Sequence, residues 1–352
     1  MSSSGGATAA CGAPTTTDRV RSAAESLSQI LDLPLSSKTD PAIFLLLDPA
    51  VSATVSRRLL LRSSGAGDDH LCRWLYDTFQ STVPSLQLVV IRFFPAIAAS
   101  YLARALSRQP LAGFEAVLLA LYAHETVARQ GKPLTINLPN LANASPYHET
   151  TKSAVKNKSA AIDTADAVPE TEIAVLSPVL EPHGTIRSTK RSRIVGVGFE
   201  LYYKHIANIP VSSKLEFIEH CIAWVGNCGK TSLKGKKGEW RIPLPWELLQ
   251  PIIRIVGHCL LGPGEDNKLK QMAADAAFLL YQRAMQDMDS RAVLATRCLV
   301  HFVAALESPK APVSPAETVA DVMASSAVEA FESLPTALAD VDIIVESTSD
   351  DF

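Results

Sequence analysis

The chain has 352 residues, with 36 acidic side chains against 33 Lys and Arg, for a formal charge of -3. Hydrophobic residues make up 47% and charged residues 20%, a globular composition with enough apolar material for a large core. A pI near 6.3 excludes the basic footprint of a protein that wraps nucleic acid.

Residues 1–17 carry no charge and lack both the basic start and the apolar core of a signal peptide, which predicts a disordered tail. From Asp18, the apolar residues Val20, Ala24, Leu27, Ile30 and Leu31 recur at helical spacing, with Thr17 or Asp18 placed to cap the start. Further helices are predicted over 49–61, 70–80, 94–106 and 113–129, set off by Pro, Gly or Ser-rich joints. The run 86–106 resembles a membrane span, but Arg92 and Pro95 interrupt it, so two packed helical segments broken at the proline are expected.

Residues 131–148, GKPLTINLPNLANASPYH, read as loop or isolated extended chain, and nothing before Thr135 suggests a hairpin. From 149 to 187 the composition shifts to Lys, Ala, Ser, Thr, Glu and Pro, which predicts a mostly disordered linker. Helical periodicity resumes over 194–207, 214–225, 246–261, 266–285 and 291–306. The expected fold is all-α, a bundle or solenoid-like stack, with one helical half at 18–148 and the other at 188–308. Residues 309–352 form an acidic tail with nine carboxylates against Lys310. In it Val319, Val322, Met323, Ala327, Ala330, Phe331 and Leu334 share a helical face that a partner groove can order.

Signals for chemistry are incomplete. The six cysteines (Cys11, Cys72, Cys221, Cys228, Cys259 and Cys298) stand singly in apolar segments, as buried reduced thiols do. The stretch 226–232, GNCGKTS, ends like a phosphate-binding loop, but Trp224 stands where the first glycine belongs, and a helix precedes it instead of a strand. His124-Glu125 opens a zinc-protease pattern whose second histidine is replaced by Ala128; His205, His220, His258 and His301 fall singly. Gly196 and Gly198 form a lone GxG, and no GxSxG elbow is present. These observations predict no catalytic residue, no cofactor and no metal. A block of Lys230, Lys234, Lys236, Lys237 and Arg241 lies between two helices with glycines nearby, as an exposed loop suited to anionic lipid or an acidic partner.

The stretch 114–149, FEAVLLALYAHETVARQGKPLTINLPNLANASPYHE, resembles the most recognisable segment of the hyccin family. The matching parts are Glu115, Leu118, Leu119 and Tyr122 on a helix, the Gln130-Gly131 exit, Leu138-Pro139 and Pro146-Tyr147-His148. Looser agreement covers Tyr202-Tyr203, the Cys221 to Cys228 helix end, the lysine-rich loop and Arg241-Ile242-Pro243. The likeness extends over 18–306; the linker and acidic tail fall outside it, and the pattern looks like a plant version. The resemblance implies a non-enzymatic helical subunit that joins a tetratricopeptide-repeat scaffold and the type III alpha phosphatidylinositol 4-kinase. A separate lipid-anchored protein would recruit that assembly from the cytosol to the plasma membrane, where the subunit is peripheral. The motif residues on 113–148 are the expected partner contacts. The competing expectation is a helical trafficking adaptor with no lipid kinase.

Overall fold

The computed structural model describes residues 15–32, 40–139, 171–226, 241–264 and 266–307. These hold twelve α-helices and a two-stranded ribbon, as the all-helical expectation required. In chain order they are α1 (Thr16–Leu31), α2 (Pro41–Leu47), α3 (Pro49–Leu60), α4 (His70–Gln80), α5 (Pro84–Arg92), α6 (Phe94–Ser107), α7 (Ala112–Arg129), β1 (Leu134–Pro139), β2 (Thr171–Ser177), α8 (Arg191–Lys204), α9 (Val211–Val225), α10 (Trp246–Leu261), α11 (Asn267–Gln286) and α12 (Ser290–Glu307). A 3-10 turn, Ile206–Asn208, links α8 to α9. The chain divides into two compact units, Met1–Phe302 and Val303–Phe352. The helices up to Phe302, within α12, belong to the first unit, in which α7 and α6 pack on α8.

Helix starts follow from local chemistry. Asp40, Asp48, Asp69 and Asp266 each accept backbone N–H groups at an N-terminus, and Pro41 and Pro49 occupy first turns where a missing N–H costs nothing. Thr15, one turn before Asp18, caps α1 in a reciprocal box with that aspartate. The break between α5 and α6 falls at Phe93; Pro95 sits harmlessly in the first turn of α6, and the two helices bend by 47°. Arg92 is buried at that bend and donates to the Leu45 carbonyl (3.4 Å) and Ser212 Oγ (3.0 Å). The apolar run is therefore core, and among the described residues no single helix is long and apolar enough to cross a membrane.

At the centre lies α8, buried continuously from Ile194 to Tyr202, as a helix apolar on all sides must be. Gly196 and Gly198 serve packing there. A Cβ on Gly198 would overlap the Phe94 ring, and one on Gly196 would overlap the Glu247 carbonyl oxygen. That carbonyl is one turn before Pro251, which has no N–H to donate to it. Phe199 extends the seam through edge-on contacts with Phe94 (4.8 Å), Phe217 (5.6 Å) and Trp224 (5.8 Å).

Arg283 of α11 closes the far side. It donates to the Val225 carbonyl at 3.2 Å, to the Ile242 carbonyl at 3.1 Å and to Asp287 at 2.6 Å, tying the end of α9 to the start of the next segment. Ala292 and Thr296 of α12 are fully buried, and Leu299 lies over Gly257 of α10.

The ribbon corrects the linker reading. Residues 171–187 are ordered, and β2 pairs antiparallel with β1 across the long insertion. Composition averaged over 149–187 hid this, because the partner strand lies more than thirty residues upstream and the aliphatic run TEIAVLSPVL, in which Ser177 and Leu180 are buried, is short. Three cysteines, Cys72, Cys221 and Cys259, are buried thiols, but Cys298 is exposed. Burial pushes the first three up to about 12, so they pack as neutral groups. Cys11, Cys228, the expected tails at 1–14 and 309–352, and 149–170 of the expected linker lie outside the described residues.

Candidate partner-binding surface

Helix α7 ends because Gln130 (φ 50°) and Gly131 (φ 74°) both turn left-handed. Nothing lies near a Cβ placed on Gly131, so glycine serves the backbone turn there. That turn sends the chain straight into β1. The ribbon it forms with β2 has two strands, too few to stand alone in water, so its stability comes from what holds its base.

Fully buried Ser177, the last residue of β2, accepts from Arg129 Nη1 (2.7 Å) and Arg193 Nη2 (2.8 Å). Arg129 also donates through Nε to Glu125 Oε1 (3.0 Å) and through Nη2 to Glu200 Oε2 (2.6 Å). Side-chain exposure of these three charged groups is 3–7%. Lys204 Nζ approaches the second Glu125 oxygen at 3.7 Å, and Arg193 approaches Glu200 at 3.9 Å. Burial pulls the Arg129 pKa down, but the hydrogen bonds and charges of Glu200 and Glu125 outweigh it, and the net shift is upward. Beyond the strand, buried Tyr122 donates to the Glu181 carbonyl at 2.8 Å, and its ring lies 5.5 Å from that of His183. Four charged helical residues, Arg129, Glu125, Arg193 and Glu200, and one tyrosine thus pin the base of the ribbon to α7 and α8.

The tip is the reverse. Ile136 and Leu138 are 39% and 44% exposed, Ile173 and Val175 are 69% and 60%. Register places Ile136 opposite Ala174 and Leu138 opposite Glu172, while Ile173 and Val175 oppose Asn137 and Thr135. Opposed residues share a face, so β1 presents its aliphatics on one side and β2 on the other. A ribbon that exposes aliphatic side chains on both faces is built to be covered. Its outer strand edges also lack a neighbour among the described residues, which suits pairing or packing with another chain.

The motif residues divide accordingly. Leu118 and Tyr122 are core, and Glu115 and Leu119 are half-buried; Glu115 Oε1 lies 3.5 Å from the Tyr101 hydroxyl. Of these four, Tyr122 is bonded to the segment that leaves the ribbon. Leu138 is the exposed member, and Pro139 closes the strand opposite Thr171. Pro146, Tyr147 and His148 lie outside the described residues, as do Lys230, Lys234, Lys236 and Lys237. Arg241 is held by Asp287 at 2.7 Å, so its charge is already answered.

Other chemistry finds no convergence. Among the described residues no group of three His, Cys, Asp or Glu side chains is placed to hold a metal. His124 packs edge-on to Phe79 at 5.3 Å, while Glu125 belongs to the charged base. The GNCGKTS stretch begins at Gly226, the cap of α9 (φ 75°), and 227–232 lie outside the described residues. An open groove of about 730 Å³ between α1 and α4 is lined by Asp18, Arg19, Arg73 and Asp77 among others, and is spanned by Trp74 Nε1 donating to the Ala23 carbonyl.

Sequence reasoning overlooked Arg129, Ser177, Arg193 and Glu200. The signals were Glu125 and Arg129 one helical turn apart and Glu200 set inside the apolar run VGVGFELYY; a carboxylate there requires a buried partner. A family model described as Hyccin matches residues 36–333. The match omits α1 and reaches into the acidic tail, further than the quoted motifs extend.

Proposed function

The chain belongs to the hyccin family, and from that premise we propose that it is a non-catalytic scaffold subunit of a phosphatidylinositol 4-kinase complex. It stabilises the type III alpha kinase together with a tetratricopeptide-repeat scaffold, and so supports phosphatidylinositol 4-phosphate synthesis. It is peripheral at the plasma membrane, exchanging with the cytosol, and reaches the membrane through a separate lipid-anchored protein. The observation that carries this reading is the apolar ribbon tip, exposed on both faces and held on a rigid buried base. Such a tip supplies the centre of a specific interface, on the order of 1,600 Å² in total. Lys234, Lys236 and Lys237 support attraction to an anionic leaflet at about 1 kcal/mol each, which assists but does not anchor.

The test is affinity purification of the tagged full chain from its own cells, beside a Leu138→Asp variant, with stoichiometric partners identified by mass spectrometry. Recovery of a tetratricopeptide scaffold and the kinase, reduced by the variant, is the expected result. Other stoichiometric partners in their place would overturn the kinase assignment and leave a helical adaptor of trafficking.

A further inference from the structure

Away from the ribbon, one cluster of cations has no carboxylate to answer it. Arg254 and His258 lie one turn apart on α10 and both address Tyr203, near the end of α8. The Arg254 guanidinium carbon stands 4.4 Å from the centre of that ring, and the His258 imidazole meets it edge-on with centroids 6.4 Å apart. The imidazole lies over Gly262, where a Cβ would come within 3.3 Å of both Cε1 and Nε2. Lys214, in the first turn of α9, is near enough for its charge to act on the imidazole: burial first, and then that charge, hold the imidazole below its ordinary pKa.

The buried arginines show what is unusual about half-buried Arg254. Arg92, Arg104 and Arg283 each donate to backbone carbonyls or hydroxyls. Arg254 instead has a buried Nη1 with no hydrogen-bond partner, and among the described residues neither Arg254 nor Lys214 forms an ion pair. A guanidinium is drawn to an aromatic ring at this distance, and its planar fork of N–H groups suits two parallel hydrogen bonds to one acceptor group. An ammonium and an imidazole beside it add point charge and a further donor.

We propose that Arg254, Lys214 and His258, with Tyr203 as platform, form a subsite for a phosphate monoester. Arg254 and His258 come from α10, which packs along α8, and Lys214 comes from α9, which meets α8 through Phe217 against Phe199 and Tyr202. A phosphate monoester matches them because it carries close to two charges and several acceptor oxygens on one centre. The site is separate from the ribbon and does not depend on the kinase assignment.

The experiment uses the full chain with two probes, radiolabelled inorganic phosphate in equilibrium dialysis and co-sedimentation with phosphatidylcholine vesicles carrying phosphatidic acid. Arg254→Gln is expected to weaken binding on the order of tenfold, since it removes a charge-assisted pair of hydrogen bonds. Lys214→Gln causes a smaller loss, and Lys268→Gln, on the exposed side of α11, causes none. Circular dichroism melts without ligand check folding; if Arg254→Gln does not fold, Lys214→Gln carries the test. Binding of free phosphate that the variants remove supports a soluble ligand, and binding seen only on vesicles and removed by the same changes supports a lipid headgroup. No saturable binding of either probe, or an equal loss in Lys268→Gln, overturns the proposal.

Discussion

The ribbon's base and tip lie a few residues apart on the same two strands and are built from opposite materials. At the base, the side chains of Arg129, Glu125 and Glu200 and the residue Ser177 are buried, Arg193 is half-buried, and hydrogen bonds link all five, with the second Glu125 oxygen met, among the described residues, only by Lys204 at 3.7 Å. At the tip, Ile136, Leu138, Ile173 and Val175 face outward with nothing described against them. Charge inside and hydrocarbon outside inverts the usual arrangement. Buried charges fix one geometry, because any shift leaves an ion unpaired, whereas exposed aliphatics contribute little until something covers them. The base therefore belongs to stability and the tip to binding, and each can be perturbed separately.

The largest effect is expected at the base. Arg129→Ala leaves Glu125 and Glu200 buried without their main partner and should cost about 3–5 kcal/mol in denaturant unfolding. A loss below about 1 kcal/mol, the range of exposed pairs, would show that the network is open to water and does not pin the ribbon. Next in size is an acid effect that originates elsewhere. His220, stacked on Trp224, is held down to about 4 by burial, against an ordinary 6.5. The unfolded chain takes up this proton first, so stability should fall as pH drops from about 6.5 to about 4, by up to roughly 3 kcal/mol. His220→Phe keeps a ring and removes the titration; pH-dependent melts that superimpose on the parent's would place the acid sensitivity elsewhere, including the base.

Smaller still is the hold on the segment that follows the ribbon. Tyr122→Phe removes the donor to the Glu181 carbonyl and should cost about 1 kcal/mol in thermal melts. Amide exchange should quicken across 178–183 while staying unchanged in α7. Uniform quickening through both would mean that Tyr122 acts as general core and not as a clamp.

Helices with a clear face were legible at the sequence level: α4 begins and ends where His70 to Gln80 suggested. Helix α2 was not, since PAIFLLL has no polar face to give a period, although Asp40-Pro41 repeats the start at Asp48-Pro49. The ribbon was the larger omission. Strand pairing is a relation between distant segments, and neither LTINLP nor TEIAVLS signals its partner. The same limit hid the base, whose groups come from α7, β2 and α8. The motif containing Leu118 and Tyr122 was visible, but its placement was not: those residues are core, Tyr122 bonded to the segment after β2, and Leu138 is the one that reaches the surface.

The smallest effect on folding should accompany the most specific effect on binding. Ile173→Asp and Leu138→Asp replace exposed side chains and should each change stability by no more than about 0.5 kcal/mol. Because register sets them on opposite faces, they ask different questions of a pull-down. A partner that packs on one face loses affinity for one variant and not the other. A partner that clamps the ribbon loses affinity for both, and one that only extends a strand edge through backbone hydrogen bonds is nearly indifferent to either. Full retention of partners by both variants, with Arg129→Ala still releasing them, would return the interface to the helices and leave the ribbon as a brace between α7 and α8.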